Sequence, residues 1–271
     1  MSKNTNEIVK LDPELLDLLE SSYPKEKSRF SIQLKKLGMF SQDVTEKVGK
    51  KINIINEAGE FFIEQASEEL DENGKPIWVK EPIGSGIEAI VVYKRYQLSY
   101  YDEKNKTFYS TPVFDSANDV VPLYNNTSKK EVARGTTEQL KKLQEFIEVK
   151  DGKTVSKLKD CRVLYVIYND ELHQLTIKGS SMWAFMDYEK VVGNPTKCVT
   201  ALSSTARENG AIKWNQMTFS FKRAINADEL KRIAEEITKI KTAISIAQAS
   251  HQQTDADKKF DELSESAVSK M

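Results

Sequence analysis

Cysteine and histidine are scarce in this chain, with two of each among 271 residues. Cys161 and Cys198 lie far apart, as do His173 and His251, and no spacing among them resembles a zinc site or a disulfide framework. Net charge is also missing. Forty Lys and Arg stand against 41 Asp and Glu, for a formal charge of −1. Bulk charge therefore cannot draw the chain to nucleic acid, and any such contact needs a local cationic patch. No apolar run reaches membrane-spanning length. The first ten residues, MSKNTNEIVK, hold no apolar signal core, which points to a cytoplasmic protein without a membrane partner. Catalytic signatures are absent as well. There is no GxxxxGK[ST] phosphate loop and no G-x-S-x-G elbow, and neither histidine has a nucleophile at useful spacing. The reading is of a non-enzyme without cofactor or metal.

What is present is β-rich and punctuated. Residues 1–50 read as an N-terminal helical arm, opened by Asp12 and Pro13 and carrying Leu15, Leu16, Leu18 and Leu19. Residues 51–225 read as the core domain. GEFFIEQ, PIWVKE and EAIVVYKRYQLSYY are dense in β-branched and aromatic residues. DEKNK turns the last of these back into TFYSTPVF. Thr136 and Gln139 stand in capping-box spacing and predict an inserted helix over 136–149, with Leu140, Leu143, Phe146 and Ile147 inward. Arg162–Tyr168 is apolar on both faces, as a central strand is. Asn169-Asp170 turns it into Leu172–Lys178. Gly179-Ser180-Ser181 opens a helix with a hydroxyl cap. Asn209-Gly210 joins two further strands as a tight hairpin.

Residues 226–250 read as a long C-terminal helix. Leu230, Ile233, Ile237, Ile240, Ile244 and Ala247 form an a/d seam that either packs on the core or pairs two copies into a homodimer. Residues 251–271 read as a polar tail. Strands, an intervening helix and a closing hairpin predict an α+β fold, an OB-like Greek-key β-barrel with an inserted helix.

Strand alternation sorts the surface chemistry. On Ile90–Tyr101 one face carries Ile90, Val92, Lys94, Tyr96, Leu98 and Tyr100. The other carries Val91, Tyr93, Arg95, Gln97, Ser99 and Tyr101. On the last strand Met217, Phe219 and Phe221 read as core, and Trp214 and Lys222 lie on the opposite face. Aromatic planes beside cations suit single-stranded nucleic acid, which offers bases to stack and phosphates to neutralise. Tyr93, Arg95, Tyr101, Trp214 and Lys222 are the expected base and backbone contacts. Arg207 and Lys213 flank the Asn-Gly turn, and Lys178 precedes a helix, within reach of an anion at its amino end. Any one tyrosine reads more simply as cross-strand packing, and Trp183 as a plug for the barrel end.

Four segments, VVYKRYQLSYYDEKNKTFYSTPVF, RGTTEQLKKLQEF, RVLYVIYNDELHQLTIKGSSMWAFMDYEK and WNQMTFSFKRAINADEL, resemble in their order the OB-fold single-stranded DNA-binding proteins of tailed phages. The resemblance covers residues 55–235. It implies a cytoplasmic protein that coats DNA in phage replication or recombination without cleaving it, with replication or recombination proteins as partners. Many such proteins end in an acidic tip, whereas this sequence runs FDELSESAVSKM. The alternative is a phage structural or host-protein interaction protein that uses the same aromatics as a protein interface. A metal-dependent nuclease would have Asp160 and Glu171 as its carboxylate pair.

Overall fold

The computed structural model describes residues 34–48, 51–72, 74, 76–240 and 242. Its strands run, in chain order, β1 (Lys36–Met39), β2 (Val44–Val48), β3 (Lys51–Asn56), β4 (Phe61–Leu70), β5 (Pro76–Gly84), β6 (Gly86–Asp102), β7 (Thr107–Ser110), β8 (Val121–Asn125) and β9 (Lys130–Gly135). They continue as β10 (Ile147–Lys150), β11 (Lys153–Ser156), β12 (Lys159–Tyr168), β13 (Glu171–Lys178), β14 (Cys198–Asn209) and β15 (Ile212–Ala224). Three α-helices accompany them: α1 (Thr137–Lys141), α2 (Gly179–Val192) and α3 over 227–240.

Eleven strands form one mixed sheet in the order β5-β4-β1-β13-β12-β6-β7-β8-β9, with the β14–β15 hairpin branching from β6. Its pairs are antiparallel except β1 with β13. The sheet ends on β5, β9 and β15 and is not closed. The expected OB-like barrel is therefore wrong. Helices cover both faces of this sheet, so its apolar faces are buried without the edges meeting, and closure is not needed to make a core. The helical-arm reading fails where it can be compared. Residues 36–39 are a strand inside the main sheet, and Val44–Val48 pairs with β3. The rest of the arm, 1–33, lies outside the described residues, as do Ile244, Ala247 and the tail.

Register explains the two main cores. Leu164 and Val166 of β12 turn to one face with Leu175, Ile177, Phe61 and Val91, under Met182, Phe185 and Tyr188 of α2 and Leu202 and Met217 of the hairpin. Val163, Tyr165 and Ile167 turn to the other, under Leu230, Ile233, Ile237 and Ile240 of α3. The described part of the heptad seam is thus occupied within the molecule. A third core gathers Leu98, Phe114, Leu123, Leu140, Phe146 and Leu158 beneath the far end of β6.

Strand β6 does not alternate uniformly. Tyr165 pairs with Tyr93 but Val166 pairs with Val91, so Val92 is an extra residue, a β-bulge. Val92 and Tyr93 therefore both join the α3 side, and residues beyond them exchange faces relative to Ile90. The segment 136–149 is not one helix. Thr136 and Gln139 form their capping box, but α1 ends at Lys141 and Leu143 is extended (φ −62°, ψ 132°). A 3-10 turn, Gln144–Phe146, and β10 follow. Leu140 and Phe146 are both buried, and six residues apart they would lie on different sides of a continuous helix.

Candidate nucleic-acid interface

Two of the expected contacts are buried, because both faces of the sheet are covered where they lie. Tyr93 is 7% exposed and Arg95 is 0% exposed. Arg95 Nε donates to Asp115 Oδ1 at 2.7 Å inside the protein. Tyr93 and Tyr165 flank the pair, with ring centroids 5.9 Å apart. Burial, aided by the Asp115 carboxylate, pushes the Tyr93 hydroxyl up to about 12. Neither residue can touch a ligand in this fold, and both leave the expected site. Lys222 is exposed but lies apart from the grooves that hold the rest, with its ammonium 3.0 Å from Glu88. Phe221, read as core with Met217 and Phe219, is 58% exposed.

The other five expected residues fall into two grooves. The first, with a cavity volume of ≈ 320 Å³, is lined by Tyr101, Phe108, Lys157, Lys159 and Lys178, together with Ser99, Tyr100 and Glu148. Tyr101 and Phe108 are directly opposed on β6 and β7, and both are exposed. Ser99 opposes Lys159, the first residue of β12, so β6 runs on past its partner and leaves this corner open. Lys159 Nζ donates to the Ser156 carbonyl at 2.9 Å and Lys157 Nζ to the Glu145 carbonyl at 3.3 Å. Neither contact neutralises charge. Lys178 makes no ion pair among the described residues.

The second groove, ≈ 650 Å³, is lined by Arg207, Lys213 and Trp214, with Asp43 and Glu208 on its wall. Arg207 opposes Trp214 across the hairpin, and its Nε donates to Gln216 Oε1 at 2.7 Å. Asp43 is engaged by the Ala58 amide at 2.8 Å.

Lys178 joins the grooves. It is the N-cap residue of α2, with no side-chain capping bond. The serines expected to cap the helix instead hold the hairpin. Trp214 Nε1 donates to Ser180 Oγ at 3.1 Å, Gln216 Nε2 to the Ser180 carbonyl at 3.1 Å, and the Met217 amide to Ser181 Oγ at 2.9 Å. The indole of the second groove is therefore tied two residues along the chain from the lysine of the first. Gly59 secures the hairpin's other side. At φ +96° it sits so close that a Cβ would lie 2.4 Å from Ser204 Oγ.

Sequence alternation missed Phe108, Lys157 and Lys159. Phe108 is legible once TFYS is read as the returning strand opposite Tyr101. The lysines are not, because the segment that carries them reaches the groove only through the fold.

Asp160 and Glu171 stand at opposite ends of the β12–β13 hairpin. Asp160 pairs with Lys141 and Glu171 with Lys35, so the two carboxylates do not form a site. Among the described residues no group of three or more His, Cys, Asp or Glu is placed to hold a metal ion, and no helix is long and apolar enough to cross a membrane. Trp183 is 60% exposed on α2 and plugs nothing. No known family, curated protein or solved structure matches the chain.

Proposed function

We propose that this protein binds single-stranded DNA without cleaving it, in the cytoplasm, as part of phage DNA replication or recombination. The observation that carries the reading is the open corner where Tyr101 and Phe108 lie among Lys157, Lys159 and Lys178, with one carboxylate, Glu148, beside them. Aromatic planes give bases a surface worth about 1–3 kcal/mol each, and unneutralised lysines meet the phosphates between them. Trp214, Arg207 and Lys213 extend the track around the end of β13. The replication or recombination role rests on the resemblance of the four segments to phage proteins.

The test is fluorescence anisotropy of a labelled poly-dT oligonucleotide at two salt concentrations. Binding that weakens with salt is expected, with affinity lowered about tenfold by Tyr101→Ala or Lys178→Glu. Lys222→Glu, outside the track, leaves it within twofold. No binding at either salt, or loss through Lys222→Glu but not Lys178→Glu, would overturn the reading.

A further inference from the structure

Beside the first groove lies a recess that the track does not use. It has a cavity volume of ≈ 480 Å³ and is lined by Tyr100, Tyr109, Phe146, Val132, Asp102, Asn105, Glu145 and Lys157. Tyr100 and Tyr109 oppose each other on β6 and β7 with nearly parallel rings, 13° apart in plane and 6.1 Å between centroids. The buried Phe146 meets both edge-on, at 6.2 and 5.1 Å, which fixes their orientation from behind. The wall is thus a preformed stacking surface. Lys157 lines both the recess and the first groove, with its ammonium 6.0 Å from the Tyr100 ring centroid. A cationic ligand would meet that ammonium, so the recess suits a neutral aromatic group attached to an anion.

The polar rim narrows the choice. Asp102 is committed to its own turn, accepting from the Lys104 and Asn105 amides and from Asn105 Nδ2. Glu145 has a carboxylate with no hydrogen-bond or ion-pair partner among the described residues, while its backbone carbonyl receives Lys157 Nζ. Glu145 lines the recess, and a free carboxylate accepts two hydrogen bonds side by side. Among DNA bases only guanine presents two adjacent donors, its ring N–H and its amino group, on one edge. Thymine presents one N–H between two carbonyls, which a carboxylate repels.

Resting on the DNA-binding reading, we propose that this recess takes one unstacked guanine of the bound strand. The base lies on the Tyr100–Tyr109 wall, its pairing edge is on Glu145, and its phosphate is on Lys157. Single strands are read this way, by stacking with hydrogen bonds to the pairing edge of a splayed base, and one well-placed bidentate contact is worth enough to discriminate bases severalfold.

The experiment compares two labelled oligonucleotides by anisotropy, an all-thymine strand and the same strand with one central guanine. Wild type is expected to bind the guanine strand about five- to tenfold more tightly. Glu145→Gln should abolish that preference and leave all-thymine affinity within twofold. Tyr109→Leu should reduce the preference, with circular dichroism confirming that it folds. Equal affinity of wild type for the two strands, or a preference that survives Glu145→Gln, overturns the guanine subsite while leaving DNA binding intact. Failure to bind either strand overturns both.

Discussion

At the scale of single residues, the buried Arg95–Asp115 pair is costly to break. Its side chains are 0% and 1% exposed, and Asp115 is held further by its amide donating to Asp119 Oδ2. Removing the guanidinium leaves a carboxylate in an apolar interior. Arg95→Met is expected to destabilise the fold by about 3–5 kcal/mol, read from urea denaturation. Arg95→Met with Asp115→Leu should recover most of that loss. DNA affinity per folded molecule should not move, which separates this arginine from the cations of the track.

Two buried groups give opposite dependences on pH. Burial holds His173 below its ordinary value despite the Glu171 carboxylate 4.0 Å from ring Nε2, and that nitrogen has no hydrogen-bond partner. The unfolded chain therefore binds the proton more readily, and stability from this group falls as pH drops below about 6.5. Glu189 faces Lys94 at 2.8 Å, which favours both charges, but burial pushes Glu189 up to about 7 and Lys94 down to about 8. Here the folded state binds the carboxyl proton more readily, and stability falls as pH rises from about 4.5 to 7. Thermal melts between pH 5 and 7 should show a shallow profile in wild type. Glu189→Gln should leave the acid-labile slope of His173, and His173→Gln the reverse slope. Parallel profiles in both variants would count against these assignments.

At the scale of elements, the β14–β15 hairpin projects from the sheet and is held by its contacts with the first turn of α2. Ser181 accepts the Met217 amide, and Ser180 accepts the Trp214 indole. Ser180→Ala with Ser181→Ala is expected to cost about 1–3 kcal/mol and to speed amide hydrogen exchange across Ile212–Met217 before the rest of the sheet. Oligonucleotide affinity should fall with it, because Trp214 and Lys178 lose their common anchor. The hairpin itself was legible. Asn209-Gly210 and Asn169-Asp170 announce their turns, and the backbone obliges with positive φ at Asn169, Asp170 and Gly210. What alternation alone could not show is the bulge at Val92. One extra residue changes which face every later side chain of β6 occupies, and nothing in IVVYKR marks it. Nor does alternation show that both faces are covered here, which is what buries Tyr93 and Arg95. The serines were legible as a helix start, yet the use of their hydroxyls depended on a hairpin more than thirty residues away.

At the scale of the whole molecule, near-neutral charge means that binding rests on a few cations in one track. Lys157, Lys159, Lys178, Arg207 and Lys213 line the two grooves. Five phosphate contacts on a single strand correspond to a slope of log K against log salt of about −3.5. A titration series should give that value, and each lysine-to-alanine change in the track should lessen it by about 0.7. The parallel contact of β1 with β13 carries a separate consequence, for synthesis. Among the described residues, β4 and β5 pair with the rest of the sheet through β1. Lys35, at the entry to β1, meets Glu171 across 136 residues of sequence. At ~5–20 residues per second, a ribosome delivers that partner roughly 7–27 s later. For that interval the three strands β5-β4-β1 have a second raw edge besides β5, that of β1, waiting for β13 to emerge.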